Sequence, residues 1–336
     1  MIRIKYLHKH VYRTPKRTVE RDGCLFISDP DCKDYDWLLV YDEMPVGTSP
    51  DSYEIEELAC PREHTILVTQ EPPSIKIYPK CYTKQFAHVF TTLLPKYLPH
   101  PNHHFGEGTM HWYADYPEEE VFSMPDYEKT ADLSTVCSTK QQTHTLHQKR
   151  FQLISALKKE IPERDWYGRG VIPLQKKYEA LSPYRYHIAV ENYIEDYHWS
   201  DKLSDPILGL CLPFYAGDPR VGEVLPPESI IHIPLEDHAE AARIIKEAIR
   251  NNEYEKRLPA IREARRLIVE KYNFYNRVAA LIHQIQEQEK GCAPAVESGV
   301  KILGRHRLRR NPWNAICEAW EIWRSKRELA RDKRRK

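Results

Sequence analysis

Residues 184–202 read YRYHIAVENYIEDYHWSDK. His187-Ile188-Ala189-Val190 has the apolar character of a buried strand, and it ends directly in Glu191-Asn192. Further on, Ser200 stands where a helix N-cap is expected, with Asp201 and Lys202 in the first turn. In an open α/β sheet, ligands collect outside the carboxyl ends of strands, where helix N-termini direct their free N–H groups. A carboxylate at such a place can hold ribose or sugar hydroxyls, and a lysine can hold phosphate as a point charge. The stretch therefore predicts an α/β fold with a phosphate-competent site in the second half of the chain.

Downstream, Leu212–Ala216 reads as a strand stopped by Gly217-Asp218-Pro219, and Ile230–Ile233 as another. Asp237 looks like the N-cap of a helix with Ala241, Ile244, Ile245, Ala248 and Ile249 on one face. Residues 258–289 read as helical and 291–304 as a break. Upstream, Asp165–Gly170 is a short strand and turn. Gln141–Ile161 reads as an amphipathic helix carrying Leu146, Leu153, Ile154 and Leu157, with Arg150 among them. Residues 115–136 are acidic and Pro-containing, which suggests the crossing between two domains. In the first half, Ile2–Ile4, Cys24–Ile27, Trp37–Tyr41 and Phe86–Thr91 read as strands. Thr65–Thr69 is the cleanest, apolar on both faces as in a parallel sheet covered by helices, and it runs into Gln70-Glu71-Pro72-Pro73.

The chain has 336 residues, enough for two domains with separate cores. Its net charge of +1 gives no global signal for nucleic acid. No G-x-G-x-x-G fingerprint or Walker loop is present. The eight cysteines form no C-x-x-C pair, which argues against structural zinc and for reduced thiols. There is no N-x-S/T sequon and no apolar run of membrane-span length, so a cytoplasmic protein is expected. Residues 98–117 hold His103, His104 and His111, but their spacing is irregular and lacks a paired carboxylate. An aromatic loop is expected there, and no metal or other cofactor is required.

The tail differs in composition. From Lys301 to Lys336 there are thirteen Lys/Arg against four Asp/Glu. Asn311-Pro312 signals a helix start, after which Trp313, Ile316, Trp320 and Trp323 recur on one face. Such a basic amphipathic helix reads as an element for an anionic membrane surface over 305–336. The alternative is a helix that packs its Trp face on the body or on a sister subunit.

VENYIEDYHWSDKL, followed by LPFYAGDPRVGEVLPPESIIHIPL, resembles the donor-binding region of the family 10 α-1,3/4-fucosyltransferases. Glu191 and Lys202 keep the family's spacing, as do Pro213, Gly217, Pro227 and Ser229. The resemblance is strong over about 184–235, moderate over 137–183 (STKQQ…HQKRFQLISAL and DWYGRG in order) and weaker over 60–92; the tail lies outside it. It implies a GT-B fold, with an N-terminal Rossmann-like acceptor domain over 1–130 facing a donor domain over 131–290 across a cleft, and a tail over 291–336. It implies transfer of L-fucose from GDP-fucose to a GlcNAc- or Glc-containing glycan. Glu71 falls where the family has its proposed general base. Arg150 falls on the helix arginine that meets the donor diphosphate, and Asn192, Asp201 and Lys202 on the donor-binding Asn, Glu and Lys. Glu191, Tyr197 and His198 complete the expected donor set. Three residues depart from the pattern: Asp201 replaces the family's Glu, His198 its Tyr (with Tyr197 adjacent) and Tyr193 its Ser.

Such a transfer, with inversion, needs a base for the acceptor hydroxyl and passes through an oxocarbenium-like transition state. Charge building on the leaving diphosphate would be met by Arg150, Lys202 and the N–H groups near Ser200 without a metal, a divalent ion being at most stimulatory. The alternatives are a transferase of the same fold using another nucleotide sugar, or a non-catalytic glycan- or membrane-binding relative. Nucleic-acid binding is not expected.

Overall fold

The structure is a computed structural model and describes residues 1–45, 54–69, 71–108, 115–116, 118–123, 125–143, 145–289 and 294–335. The chain divides into two α/β units. The first joins Met1–Gly106 to Tyr275–Lys336, and the second is Glu107–Phe274.

The first unit is built on strands β1 (Ile2–His8), β2 (Arg17–Arg21), β3 (Cys24–Ser28), β4 (Trp37–Tyr41), β6 (Thr65–Val68), β7 (His88–Thr91) and β8 (His103–Phe105). A short β5 (Ile55–Glu57) lies apart from this sheet. The sheet order is β2-β3-β1-β4-β6-β7-β8, and only β2 runs antiparallel. Every residue of β4 (WLLVY) is buried, as a central parallel strand covered on both faces requires.

The second unit has β9 (Ala131–Val136), β10 (Asp165–Tyr167), β11 (Tyr184–Val190), β12 (Leu212–Ala216) and β13 (Ile231–His232). Their order is β10-β9-β11-β12-β13, all parallel. Helices α1 (His147–Glu160), α2 (Asp201–Leu208), α3 (His238–Arg250) and α4 (Glu253–Glu270) cover it. The period-2 alternation of β11 and β12 sorts the two faces. Tyr186, Ile188, Leu212 and Phe214 pack with Leu153, Ile154 and Leu157 of α1 and Ala241 and Ile245 of α3. On the other face, Ala189 and Tyr215 pack with Leu203 and Ile207 of α2 and Ile268 of α4. The two Rossmann-like units expected from the sequence are present.

The division of the chain differs from the expected boundaries at 130 and 290. Helix α5 (Phe274–Glu289) belongs almost wholly to the first unit. Its Tyr275 ring meets Phe26 edge-on at 4.9 Å and its hydroxyl accepts from Arg17 at 3.0 Å; Glu289 lies 3.2 Å from His64. Residues after the helix add β14 (Lys301–Leu303), antiparallel to β5, and α6 (Pro312–Arg335). Three further expectations change. The run 258–289 is two helices, with Lys271–Asn273 between them. The stretch 115–136, expected as a crossing, ends in β9, the strand beside β11. The expected loop 98–117 contains β8, while His111 lies outside the described residues.

Candidate functional site

From β9 the second unit steps to β10 on one side, then crosses back to place β11, β12 and β13 on the other. The crevice between β9 and β11 is thus the topological switch point, where doubly wound sheets receive ligands. A pocket of about 130 Å³ opens there. It is lined by Val136 at the end of β9, His187–Val190 of β11, Arg150 of α1, Asp201, Lys202 and Pro206 of α2, and Lys177 from a preceding single turn of helix.

Helix α2 is fixed at its start by two layers of hydrogen bonds. Ser200 Oγ accepts from the Lys202 N–H at 3.2 Å and donates to Glu191 Oε2 at 2.6 Å. The Ser200 N–H donates to Glu191 Oε1 at 2.8 Å. Glu191 is buried and occupied with this cap, so it orients the helix and does not line the pocket. Burial pushes its carboxyl up, against the pull of Lys202 and the Ser200 donors. Downstream, Gly217 keeps the end of β12 close to the Tyr215 ring, since a Cβ there would lie 2.2 Å from it.

Arg150 is buried at 7% exposure. Its Nη1 donates to Asn192 Oδ1 at 2.8 Å and its Nε to Cys137 Sγ at 3.2 Å. Among the described residues no carboxylate pairs with it. A buried guanidinium normally finds an anion, and this one lines a pocket. Asn192, itself outside the lining, is the residue that aims it.

Asp201 and Lys202 both line the pocket, with Nζ–Oδ1 at 3.2 Å. Lys177, which no local sequence signal marks, joins them. Its Nζ lies 2.7 Å from Asp201 Oδ2 and 2.5 Å from Asp205 Oδ2, and the Asp205 side chain is fully buried. Burial alone would lower the Lys177 ammonium, but Asp205 and Asp201 outweigh it and hold its pKa above the ordinary lysine value. Burial would likewise raise Asp201, and Lys202 with Lys177 overrides this to keep the carboxyl below its usual range. The pocket lining thus presents Arg150, Lys177 and Lys202 against the carboxylate of Asp201, with Asp205 buried behind Lys177, a balance suited to an anionic ligand.

Tyr197 and His198, expected with the donor set, do not line this pocket. The Tyr197 hydroxyl donates to Glu223 at 2.7 Å, and Arg220 covers its ring at 4.5 Å. His198 is buried, edge-on to Tyr193 at 5.3 Å between ring centres.

Glu71 lies in the first unit, in the turn after β6. Its N–H donates to Tyr78 Oη at 3.2 Å, and Tyr78 donates in turn to Asp42 at the end of β4. Lys76 Nζ holds both oxygens of Asp42 at 2.9 Å and Glu43 at 2.8 Å. Among the described residues no cluster of three His, Cys, Asp or Glu side chains is arranged to hold a metal.

Two histidines around the pocket set a pH dependence. Ser134 Oγ donates to the Ala180 carbonyl, so it accepts from His187 Nδ1 at 2.8 Å. Burial, with Lys177 nearby, pulls His187 down to about 3; burial, with Lys202 nearby, pulls His198 down to about 4. Both pKa values lie below the unfolded value of 6.5. Their contribution to stability is therefore full above pH 6.5 and is lost as the pH falls toward 4. Two such groups give a slope of about 2–3 kcal/mol per pH unit at its steepest. Urea denaturation at pH 7, 6 and 5 should show this loss, halved in His198→Asn. A flat profile would contradict the burial of these rings.

No protein-family model and no curated protein sequence matches the chain. By structure, the chain is similar to a solved α1,3-fucosyltransferase with GDP-fucose, at 15% identity over 76% of this chain and 81% of that one, with a TM-score of 0.44. It is also similar to sucrose-phosphate synthase from Thermosynechococcus elongatus, at 9% identity over 87% of this chain and 100% of that one, with a TM-score of 0.41. A DNA-modifying β-glucosyltransferase resembles it at 9% identity over 83% of this chain and 100% of that one, with a TM-score of 0.43.

Proposed function

We propose that this chain is an inverting glycosyltransferase that moves L-fucose from GDP-fucose to a hydroxyl of a GlcNAc- or Glc-containing glycan. The observation that carries the reading is Arg150, a buried guanidinium without a carboxylate partner among the described residues, lining a pocket at the switch point beside Lys202. That constellation suits a diphosphate. The motif resemblance over 184–235 supplies the donor. In this reading Arg150 and Lys202 hold the diphosphate and stabilise charge as it leaves. Asp201 engages ribose or sugar hydroxyls, and Glu71 takes the acceptor proton.

A second reading, the same chemistry with a different nucleotide sugar, is favoured by Asp201. Its side chain is one methylene shorter than the family's Glu and is drawn toward Lys177. The deciding experiment is nucleoside diphosphate release from a panel of nucleotide sugars, with N-acetyllactosamine or lactose as acceptor. Release confined to GDP-fucose supports the first reading and release confined to another donor the second. Binding of none of them would sink both.

A further inference from the structure

The tail helix α6 turns its tryptophans away from the protein. Trp313, Ile316, Trp320 and Trp323 are 69%, 61%, 55% and 53% exposed. Large apolar side chains rarely stand out in a contiguous row unless something covers them. The opposite side of the helix is held to the first unit. Glu318 is buried and ion-paired with Arg305 and Arg309, the latter Nε at 2.9 Å. Glu321 accepts the Lys80 N–H at 2.9 Å, Ser325 is buried, and Leu329 packs on the apolar core. Glu318 and Glu321 are therefore spent on the body. The outward face carries arginines: Arg324 stacks over Trp320 at 5.2 Å and Arg327 over Trp323 at 4.6 Å, and Arg331 is exposed one turn further on.

We infer that the outward face of α6 is a docking surface for an anionic lipid bilayer, with the helix lying flat. Tryptophan belongs at the level of the headgroups, its apolar body inward and its N–H wet. Arginines beside it reach lipid phosphates. No helix among the described residues is long and apolar enough to cross a membrane, so the contact is peripheral. A second copy is a poorer occupant, because its matching face would bring arginines against arginines. Duplex nucleic acid would use the arginines and leave the indoles uncovered. The helix is tied to the first unit through Arg305, which also lies 3.8 Å from Glu43, through the bond from Lys80 to Glu321 and through the packing of Leu329, so docking fixes that unit's orientation on the surface.

The test is sedimentation of the full-length protein with phosphatidylcholine vesicles and with vesicles of equal parts phosphatidylcholine and phosphatidylglycerol. Binding to the anionic vesicles should exceed that to neutral ones by roughly tenfold or more at low salt and weaken in molar salt. The combined variant Trp313→Ser/Trp320→Ser/Trp323→Ser should lose binding while its melting temperature changes little, since these side chains are mostly exposed and touch no buried core. Arg324→Gln/Arg327→Gln should lose the preference for anionic lipid. In the wild type, tryptophan fluorescence should shift to the blue on vesicle addition and be quenched by brominated lipid. Absence of wild-type vesicle binding overturns the proposal, as does binding that survives the tryptophan variant. A dimer dissolved by the tryptophan variant, without vesicle binding, would assign the face to a second copy. Salt-sensitive binding to duplex DNA alone would assign it to nucleic acid.

Discussion

Exchanging Lys177 for methionine is expected to cost the second unit about 3–5 kcal/mol of folding stability, the usual result of removing one partner of a buried ion pair. The reason is Asp205. Its side chain has no solvent exposure, and the ammonium 2.5 Å away is its charge partner. With methionine in place, that carboxylate loses the ammonium and must either stay charged at a higher cost or take up a proton. The same ammonium also binds Asp201 at 2.7 Å, so its loss frees the one pocket carboxylate to swing toward Lys202. Neighbours in one charge network couple by about 1–2 kcal/mol, so donor affinity should fall about tenfold. The two effects separate experimentally. Lys177→Met combined with Asp205→Asn removes both charges and should recover much of the stability but not the donor affinity. Lys177→Arg keeps the charge and should retain stability, with a raised donor KM and little change in kcat. Should Lys177→Met melt like the wild type, the ion pair with Asp205 would not support the second unit.

The strand, loop and helix start over 184–202 were legible because they rest on local signals, an apolar run and a Ser cap one residue before an acid. Strand β9 was not. Its sequence ADLSTV carries polar residues that read as loop, yet Ser134 and Thr135 are buried because their hydroxyls donate to the carbonyls of Ala180 and Ile188. Polar side chains satisfied across a sheet leave no trace in hydrophobic periodicity. Lys177 was hidden for a similar reason: its partners lie 24 and 28 positions away, and nothing in a lysine announces a tertiary ion pair. The return of α5 to the first sheet was equally unreadable. A periodic apolar face says that a helix is covered, not which sheet covers it. The tail shows the same limit in reverse. Its amphipathicity was plain, but the rule that the apolar side packs inward fails there, because Glu318 finds two arginines on the body side.

Glu71→Gln is expected to lower kcat of the proposed transfer by roughly two to four orders of magnitude, the range that general-base removal costs, while leaving nucleotide affinity unchanged. The separation follows from where the groups reside. The anion pocket is built entirely from the second unit, whereas Glu71 belongs to the first. Within that unit the backbone of Glu71 is tied to β4 through Tyr78 and Asp42, and Lys76 fixes Asp42 by both oxygens. Glutamine preserves shape and hydrogen bonding but cannot accept the proton that an acceptor hydroxyl must lose as it attacks. Lys202→Ala supplies the contrast: in the proposed mechanism its charge acts on the diphosphate before and during the reaction, so its loss should weaken nucleotide binding and raise the donor KM. Calorimetry with GDP and a coupled assay of GDP release, run on both variants, read the two quantities independently. If Glu71→Gln turns over at the wild-type rate, the base lies elsewhere. If it loses nucleotide affinity as well, the roles assigned to the two units cannot be separated in this way.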